Sequence, residues 1–251
     1  MILVLTYHKV RGSGGADDGD FYTVTSEQLG RQIEAVQAKG FKSLPIENLL
    51  EGKMSAEKEY ILSFDDATPD HYEMVFPLLQ KHGCRAVFFV PTARINQPGY
   101  LTEAQVKELA GAGHTIGLHS HHHQRLDVLP PEKIREEMTR SREILGGILG
   151  TKPVIFAPPG GFTNAQVRVA AEEQGVRVIR SMRWGYNQNP DLLDLETVPI
   201  NRFTTEKKFR GILELRNPRM IYAGKEALKR LIPLRFYQII RRMAFKFSKS
   251  E

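Results

Sequence analysis

A single cysteine, Cys84, and a single tryptophan, Trp184, are all the chain holds of those two types. One thiol cannot close an intrachain disulfide, so the disulfide-scaffold class is excluded and nothing points to an oxidising compartment. No cysteine-protease-like context surrounds Cys84, which reads as a buried structural thiol beside a strand. No apolar stretch approaches the roughly 20 residues needed to span a bilayer. The N-terminal MILVLTYHKV has a short apolar run but neither a preceding basic segment nor a small-residue cleavage site. It reads as a first strand and not as a signal peptide. These absences lead to the expectation of a cytoplasmic protein. Internal repeats are lacking as well.

What is present is ordinary globular composition: 251 residues, 41% hydrophobic and 25% charged. That length buries a sizeable core and suits a single α/β domain. The net charge of +6 is uneven, because residues 205–251 carry thirteen Lys/Arg against four Glu. The preceding 204 residues are slightly acidic, so the core calls for no nucleic-acid partner. We therefore divide the chain into a main domain over 1–204 and a basic extension over 205–251.

Strand-like and helix-like segments alternate, which predicts parallel β/α units. The strand candidates are Ile2–Thr6, Phe41–Leu44, Tyr60–Phe64, Ala86–Val90, Thr115–Leu118, Val154–Phe156, Val176–Ile179 and Thr197–Ile200. Several are continuous apolar runs, as expected of strands covered on both faces. Thr25–Gln28, Thr102–Gln105 and Thr163–Gln166 have capping-box spacing, and Gly40 and Gly83 stand where helices should end. Arg11–Phe21 is a Gly/Asp-rich loop without the ligand spacing of a calcium site. Alternation alone does not choose between a closed barrel and an open doubly wound sheet.

Three segments that follow predicted strands carry chemistry, and strand carboxyl ends are where parallel β/α folds build their sites. Ser63-Phe-Asp-Asp66 puts two carboxylates at the end of an apolar strand, a costly position unless a cation pairs with them. The plain alternative is that Asp66 caps a helix beginning near Pro69. In His119-Ser-His-His-His123, one helical turn would bring His119 and His123 to the same side. Two imidazoles plus a carboxylate leave an open zinc position for water. A histidine-rich surface loop is the alternative, and His121 and His122 read as bystanders. In Phe156-Ala-Pro-Pro-Gly-Gly161, a rigid turn with two glycines can bring a backbone N–H up to a ligand. An ordinary β–α turn is the alternative.

Together the segments resemble, in order and spacing, the NodB-homology domain of the polysaccharide deacetylases, a carbohydrate-esterase family. Tyr60–Asp66 is similar to its first motif and Gly113–His123 to its second. The Pro-Pro-Gly-Gly turn is similar to its third, and Trp184 stands for the aromatic fourth. Leu5-Thr-Tyr-His-Lys9 resembles a common opening of the family. The resemblance spans roughly the first 200 residues. It implies a distorted (β/α) barrel with about seven parallel strands, and a hydrolase acting on carbon–nitrogen bonds other than peptide bonds. It also implies a divalent metal, zinc, held by Asp66, His119 and His123, with Asp65 as the base acting on a metal-activated water. Gly160 maps to the oxyanion donor, and Trp184 would wall the sugar or the acyl methyl. The implied reaction removes N-acetyl groups from an amino-sugar glycan or a lipid-linked glycan precursor.

Two departures from the family pattern stand out. Its third motif usually begins with an arginine that pairs with the catalytic Asp, and that position is Ala157. Its fifth motif normally supplies a histidine as general acid, and Val198–Phe203 has none. Asp65 is thus left without an orienting partner, and the acid is unassigned; His8 or Arg202 would have to compensate. These departures keep a second class of function open, a metal-binding but inactive glycan-recognition or membrane-tethered protein. An enzyme acting on a different acyl group is a further alternative.

In the extension, Lys225–Leu231 and Leu234–Phe247 are predicted helices, with Pro233 suited to a helix start. Phe236, Ile239, Ile240, Met243 and Phe247 recur at helical spacing among Arg235, Arg241, Arg242, Lys246 and Lys249. Two readings stand side by side. The basic amphipathic helix contacts a membrane surface peripherally, or its apolar stripe packs on the barrel. Nucleic-acid binding by this tail is a weaker third reading.

Overall fold

The computed structural model describes residues 1–12, 14, 19–53 and 57–214. The expected helices beyond Leu213 and their membrane contact lie outside the described residues. Among the described residues are ten strands and seven α-helices, beginning β1 (Ile2–Tyr7), β2 (Lys9–Arg11), β3 (Thr23–Thr25), α1 (Ser26–Ala38), β4 (Lys42–Ser43), α2 (Ile46–Leu50) and β5 (Glu59–Asp65). There follow α3 (Phe76–Lys81), β6 (Ala86–Val90), α4 (Glu103–Gly111), β7 (Thr115–Leu118), α5 (Pro131–Leu149) and β8 (Ile155–Phe156). The series ends with α6 (Ala165–Glu173), β9 (Val178–Trp184), β10 (Leu195–Pro199) and α7 (Glu206–Leu213).

The sheet closes on itself. Strands run β1-β10-β9-β8-β7-β6-β5, and β1 pairs with β5 in parallel from Ile2↔Glu59 to Tyr7↔Phe64. Seven parallel strands thus form a closed barrel, and β4 is a spur on the first residues of β5. The expected strands are all present, Ala86–Val90 and Thr115–Leu118 with the expected ends and the others with shifted ones. The largest shift is at β9, which begins at Val178 and runs on to Trp184, well past the expected end at Ile179. The Gly/Asp-rich loop is bracketed by a small parallel pair, β2 with β3, which sequence alternation did not predict.

Period-two alternation splits the barrel strands between two packing environments. Leu3, Leu5, Tyr7, Tyr60, Leu62, Phe64 and Phe88 face the surrounding helices in the larger core. Ile2, Val4, Ile61, Val87, Phe89, Ile155, Val178 and Leu195 fill the barrel itself. Following the inward positions along the strands, the lining changes from apolar to polar. Thr6 bonds Ser63 at 2.8 Å and Thr197 at 2.7 Å, all three buried. One step further on lie Asp65, His119 and Arg180. Gly117 is the inward residue of β7; a Cβ there would sit 2.6 Å from the Phe89 ring. The glycine therefore makes room for the phenyl ring that floors the polar layer.

Helix ends follow the expected chemistry with one correction. Thr25 with Gln28 and Thr102 with Gln105 form complete capping boxes. Gly40 (φ +80°) and Gly83 (φ +60°) lie just past the ends of α1 and α3 in the left-handed conformation that favours glycine. At α6 the cap is Asn164 and not Thr163: Asn164 Oδ1 accepts from Val167 N at 2.9 Å. Its Nδ2 also donates to the Asp127 carbonyl at 3.0 Å, a second tether from the amide's own donor. Cys84 is buried, and burial pushes its thiol up to about 11, as befits a structural residue.

Candidate active site

Asp65 ends β5 and Asp66 follows it, where the chain turns sharply. Asp66 has φ +82° and Ala67 φ +55°, conformations that cost non-glycine residues on the order of 1–3 kcal/mol each. The turn leaves Asp65 facing into the barrel and carries the Asp66 carboxylate across to the histidine loop. Asp66 does not cap a helix: the π-turn His71–Val75 that runs into α3 receives no side-chain cap. The Asp66 Oδ1 lies 3.4 Å from His119 Nε2 and 2.9 Å from His123 Nε2.

His119 follows β7 and is buried. The expected helical turn from His119 to His123 is not what brings the two imidazoles together. The segment is an irregular loop in which Ser120 and His123 both have φ +60°. Left-handed kinks at its two ends swing the rings to 3.2 Å between Nε2 atoms. His119 Nδ1 bonds the Ala157 carbonyl at 2.6 Å. A carbonyl only accepts, so Nδ1 carries a proton and Nε2 is the atom left facing Asp66 and His123. Position 157 thus serves the site through its backbone.

The three donor atoms lie within 4.8 Å of one another. A tetrahedral zinc with ligands at about 2.0–2.1 Å needs donors roughly 3.4 Å apart, so the separations seen here suit one such ion. The local electrostatics agree. Burial opposes charge on Asp66, but hydrogen bonds from His119 and His123 outweigh it and hold the carboxyl far below its ordinary range. Burial would also lower His119, yet Asp66 and Asp65 raise its affinity for a proton above the usual histidine value. The cluster attracts positive charge, whether a proton on His119 Nε2 or a cation in its place.

Asp65 is 3% exposed, and it is not without a partner. Arg180, on the inward face of β9, places Nη2 2.5 Å from both Oδ1 and Oδ2. Arg180 is itself 1% exposed; its Nη1 reaches Met182 Sδ at 2.8 Å, and its guanidinium lies 5.0 Å from the centre of the Phe89 ring. Burial alone would raise the Asp65 carboxyl; Arg180 first, then His119 and His8, bring it below the ordinary carboxylate range. The orienting partner that sequence comparison found missing at Ala157 comes from another strand. The signal was a charged residue in register with Val178, but a strand ended at Ile179 hides it.

The remaining expected residues are distributed as follows. His8, at the end of β1, has Nε2 3.8 Å from Asp65 Oδ2, and its ring stacks on Tyr22 at 4.3 Å. Burial lowers its pKa, more than Asp65 and Asp66 raise it. Arg202 lies in the loop after β10, where its N–H donates to the Phe21 carbonyl and its guanidinium sits 5.8 Å from the Phe203 ring. Gly160 has φ +67° in the turn after β8, and a Cβ there would press on Phe162 at 3.0 Å. Trp184 ends β9 at 9% exposure, packed edge-on against Tyr186 within the larger core. Its ring is more core than exposed wall.

The description "polysaccharide deacetylase" belongs to the family model that matches residues 52–179, which hold Asp65, Asp66, His119, His123 and the Gly160 turn. The chain belongs to the polysaccharide deacetylase family. A peptidoglycan-N-acetylglucosamine deacetylase of Bacillus cereus is 29% identical over 135 residues, covering 53% of this chain and 60% of that protein. The Bacillus subtilis protein YxkH is 27% identical over 179 residues, covering 70% of this chain and 62% of its own. The chain therefore spans less than two thirds of these relatives. Among solved structures, the Streptococcus pyogenes deacetylase PplD, in complex with acetate, superposes with a TM-score of 0.75 at 23% identity, over 86% of this chain and 98% of that one. At that identity the likeness shows the shared fold. Among the described residues, no helix is long and apolar enough to cross a membrane.

Proposed function

We propose that this polysaccharide deacetylase family member is a metal-dependent amidohydrolase that removes N-acetyl groups from amino-sugar units of a glycan or lipid-linked glycan precursor. The observation that carries the reading is an ionised, buried carboxylate, Asp65, directly beside a two-histidine, one-carboxylate donor set at the carboxyl end of the barrel. Asp66, His119 and His123 would hold a divalent cation, zinc by the chemistry of its donors. When bound, such an ion polarises a carbonyl and lowers the pKa of water towards ~7.

The chain's own groups divide the proton work. Asp65, held by Arg180 on both oxygens, accepts a proton from the attacking water. Its depressed pKa keeps it in the basic form at neutral pH. His8 Nε2, 3.8 Å from the same carboxylate and with its pKa lowered by burial, is assigned to take that proton from Asp65 and deliver it to the leaving amine. That supplies the acid for which Val198–Phe203 has no candidate. The Gly160 turn is assigned the backbone N–H that receives developing oxyanion charge. Arg202, with Phe21 and Phe203 beside it, is better suited to touch substrate than to orient Asp65.

The ion pair with Arg180 favours this reading over an inactive glycan-binding protein. Removing a charged pair from water is expensive, and a binding module has no need of a buried base beside its metal. The test is acetate release from N-acetylated oligosaccharides and lipid-linked sugars by protein of known metal content. Wild type should release acetate, and Asp65→Asn should retain metal without turnover. Metal-loaded wild type that releases acetate from none of them would overturn the deacetylase reading, and release of another acyl group would redirect it.

A further inference from the structure

His121 and His122 lie between the two metal-site histidines, and their contacts converge on one side chain outside the site. Glu137, in the first half of α5, is nearly buried. Its Oε2 accepts from His121 N at 3.0 Å and from His122 N at 2.8 Å. Its Oε1 accepts from His122 Nδ1 at 2.5 Å. Three donors of the metal loop therefore end on a single carboxylate. The same loop is stitched to the segment after β6: the Thr92 hydroxyl bonds His121 Nδ1 at 2.8 Å, and Ala93 N donates to the His121 carbonyl at 2.9 Å. Ser120 Oγ accepts from His123 N at 3.1 Å.

This bracing answers a physical need. The loop holds two non-glycine residues in left-handed conformations, which persist only where the surroundings over-determine them. Without an anchor, the loop would relax, and His123, the half-exposed member of the donor set, would leave the position opposite His119. A carboxylate is suited to the task because each oxygen accepts more than one bond and no donor of its own competes.

We infer that Glu137 is a positioning residue for the metal centre, fixing the loop so that His123 is preorganised beside His119 and Asp66. This rests on the metal-dependent reading above. It also assigns work to His121 and His122, which spacing alone marks as bystanders: they are the handles by which α5 grips the loop. The geometry requires position more than charge. Glutamine at 137 keeps an oxygen for both backbone N–H groups, whereas aspartate keeps the charge but is one methylene too short to reach all three donors.

The test is a cobalt(II) titration of the metal-stripped full chain against a chelating indicator, with the visible absorption of the bound ion reporting its ligand set. Glu137→Ala and Glu137→Asp should bind cobalt roughly 10–100-fold more weakly than wild type, the range seen when outer-shell partners of metal ligands are lost. Glu137→Gln should keep most of the affinity and the wild-type spectrum. Circular dichroism checks that each variant is folded; if the alanine variant is not, the aspartate and glutamine pair still decides. Aspartate binding like wild type, or glutamine losing as much as alanine, would overturn the positioning role. Wild type that binds cobalt but releases no acetate would leave this inference standing and sink the substrate reading. Wild type that binds no cobalt would sink both.

Discussion

Replacing Arg180 with methionine removes one charge from a site where its partner, Asp65, is 3% exposed. The group centres of such a pair lie about 4 Å apart, where two unit charges attract by about 4 kcal/mol at an effective dielectric constant near 20. Breaking a buried pair on one side costs about 3–5 kcal/mol by the same logic, because the remaining charge is left in a low dielectric. Two routes divide this penalty. Either the fold loses stability at pH 7, or Asp65 takes up a proton and stops being a base. The sign follows from the pKa: Asp65 is depressed in the folded chain, so its contribution is present above the unfolded carboxylate range and lost as pH falls through the folded value. With Arg180 gone, burial dominates and the Asp65 carboxyl rises, which brings that loss up towards neutrality. Urea denaturation of metal-stripped Arg180→Met at pH 7 and the acid limb of kcat/KM should together show it. We expect a stability loss of about 3 kcal/mol, or an acid limb moved upward by at least about one pH unit. Arg180→Lys should be milder, because a single nitrogen makes both contacts to Asp65. The double variant Asp65→Asn/Arg180→Met should recover part of the stability, as coupled neighbours do. A loss under about 1 kcal/mol with an unmoved acid limb would refute the pair's role.

Other perturbations test the frame around the site. His114 Nδ1 accepts from Ala86 N at 3.2 Å, and burial, with Arg85 nearby, lowers its pKa to about 4. The unfolded chain then binds the extra proton between about 6.5 and 4, so stability should fall with pH across that window, by about 2 kcal/mol at pH 5. His114→Gln, which keeps an acceptor, should flatten that slope in urea melts. Gly161→Ala should cost about 2–4 kcal/mol in the same assay, because φ is +74° and the new Cβ would meet Met182 Cβ at 2.2 Å. Asn164→Ala should cost about 1 kcal/mol through loss of the α6 cap, with Thr163→Ala the smaller change.

Much of the barrel was legible because its strands are apolar runs bounded by Gly, Pro and cap residues. The closed form was legible only through the family resemblance, since closure depends on β1 meeting β5 across 57 positions, and alternation carries no information about that pairing. Asp65, Asp66, His119 and His123 could be read because a charge or an imidazole at the end of an apolar strand is anomalous where it stands. Arg180 obeys the same rule, but its strand runs five residues past the apolar segment that announces it. The histidine spacing was read correctly as a shared face and wrongly as a helix, because left-handed kinks at Ser120 and His123 leave no compositional trace. Glu137 gave no signal either: on a 19-residue charged helix, one more glutamate looks solvated until the loop that it grips is seen.

The most direct test is to strip the chain of metal, titrate zinc back and follow acetate release from an N-acetylated oligosaccharide that the wild type accepts. We expect activity to vanish on stripping, to climb to a plateau at about one ion per chain for a single three-residue site, and to stay flat for His119→Ala. Undiminished release by the stripped chain, or full activity of His119→Ala, would contradict a mechanism built on Asp66, His119 and His123.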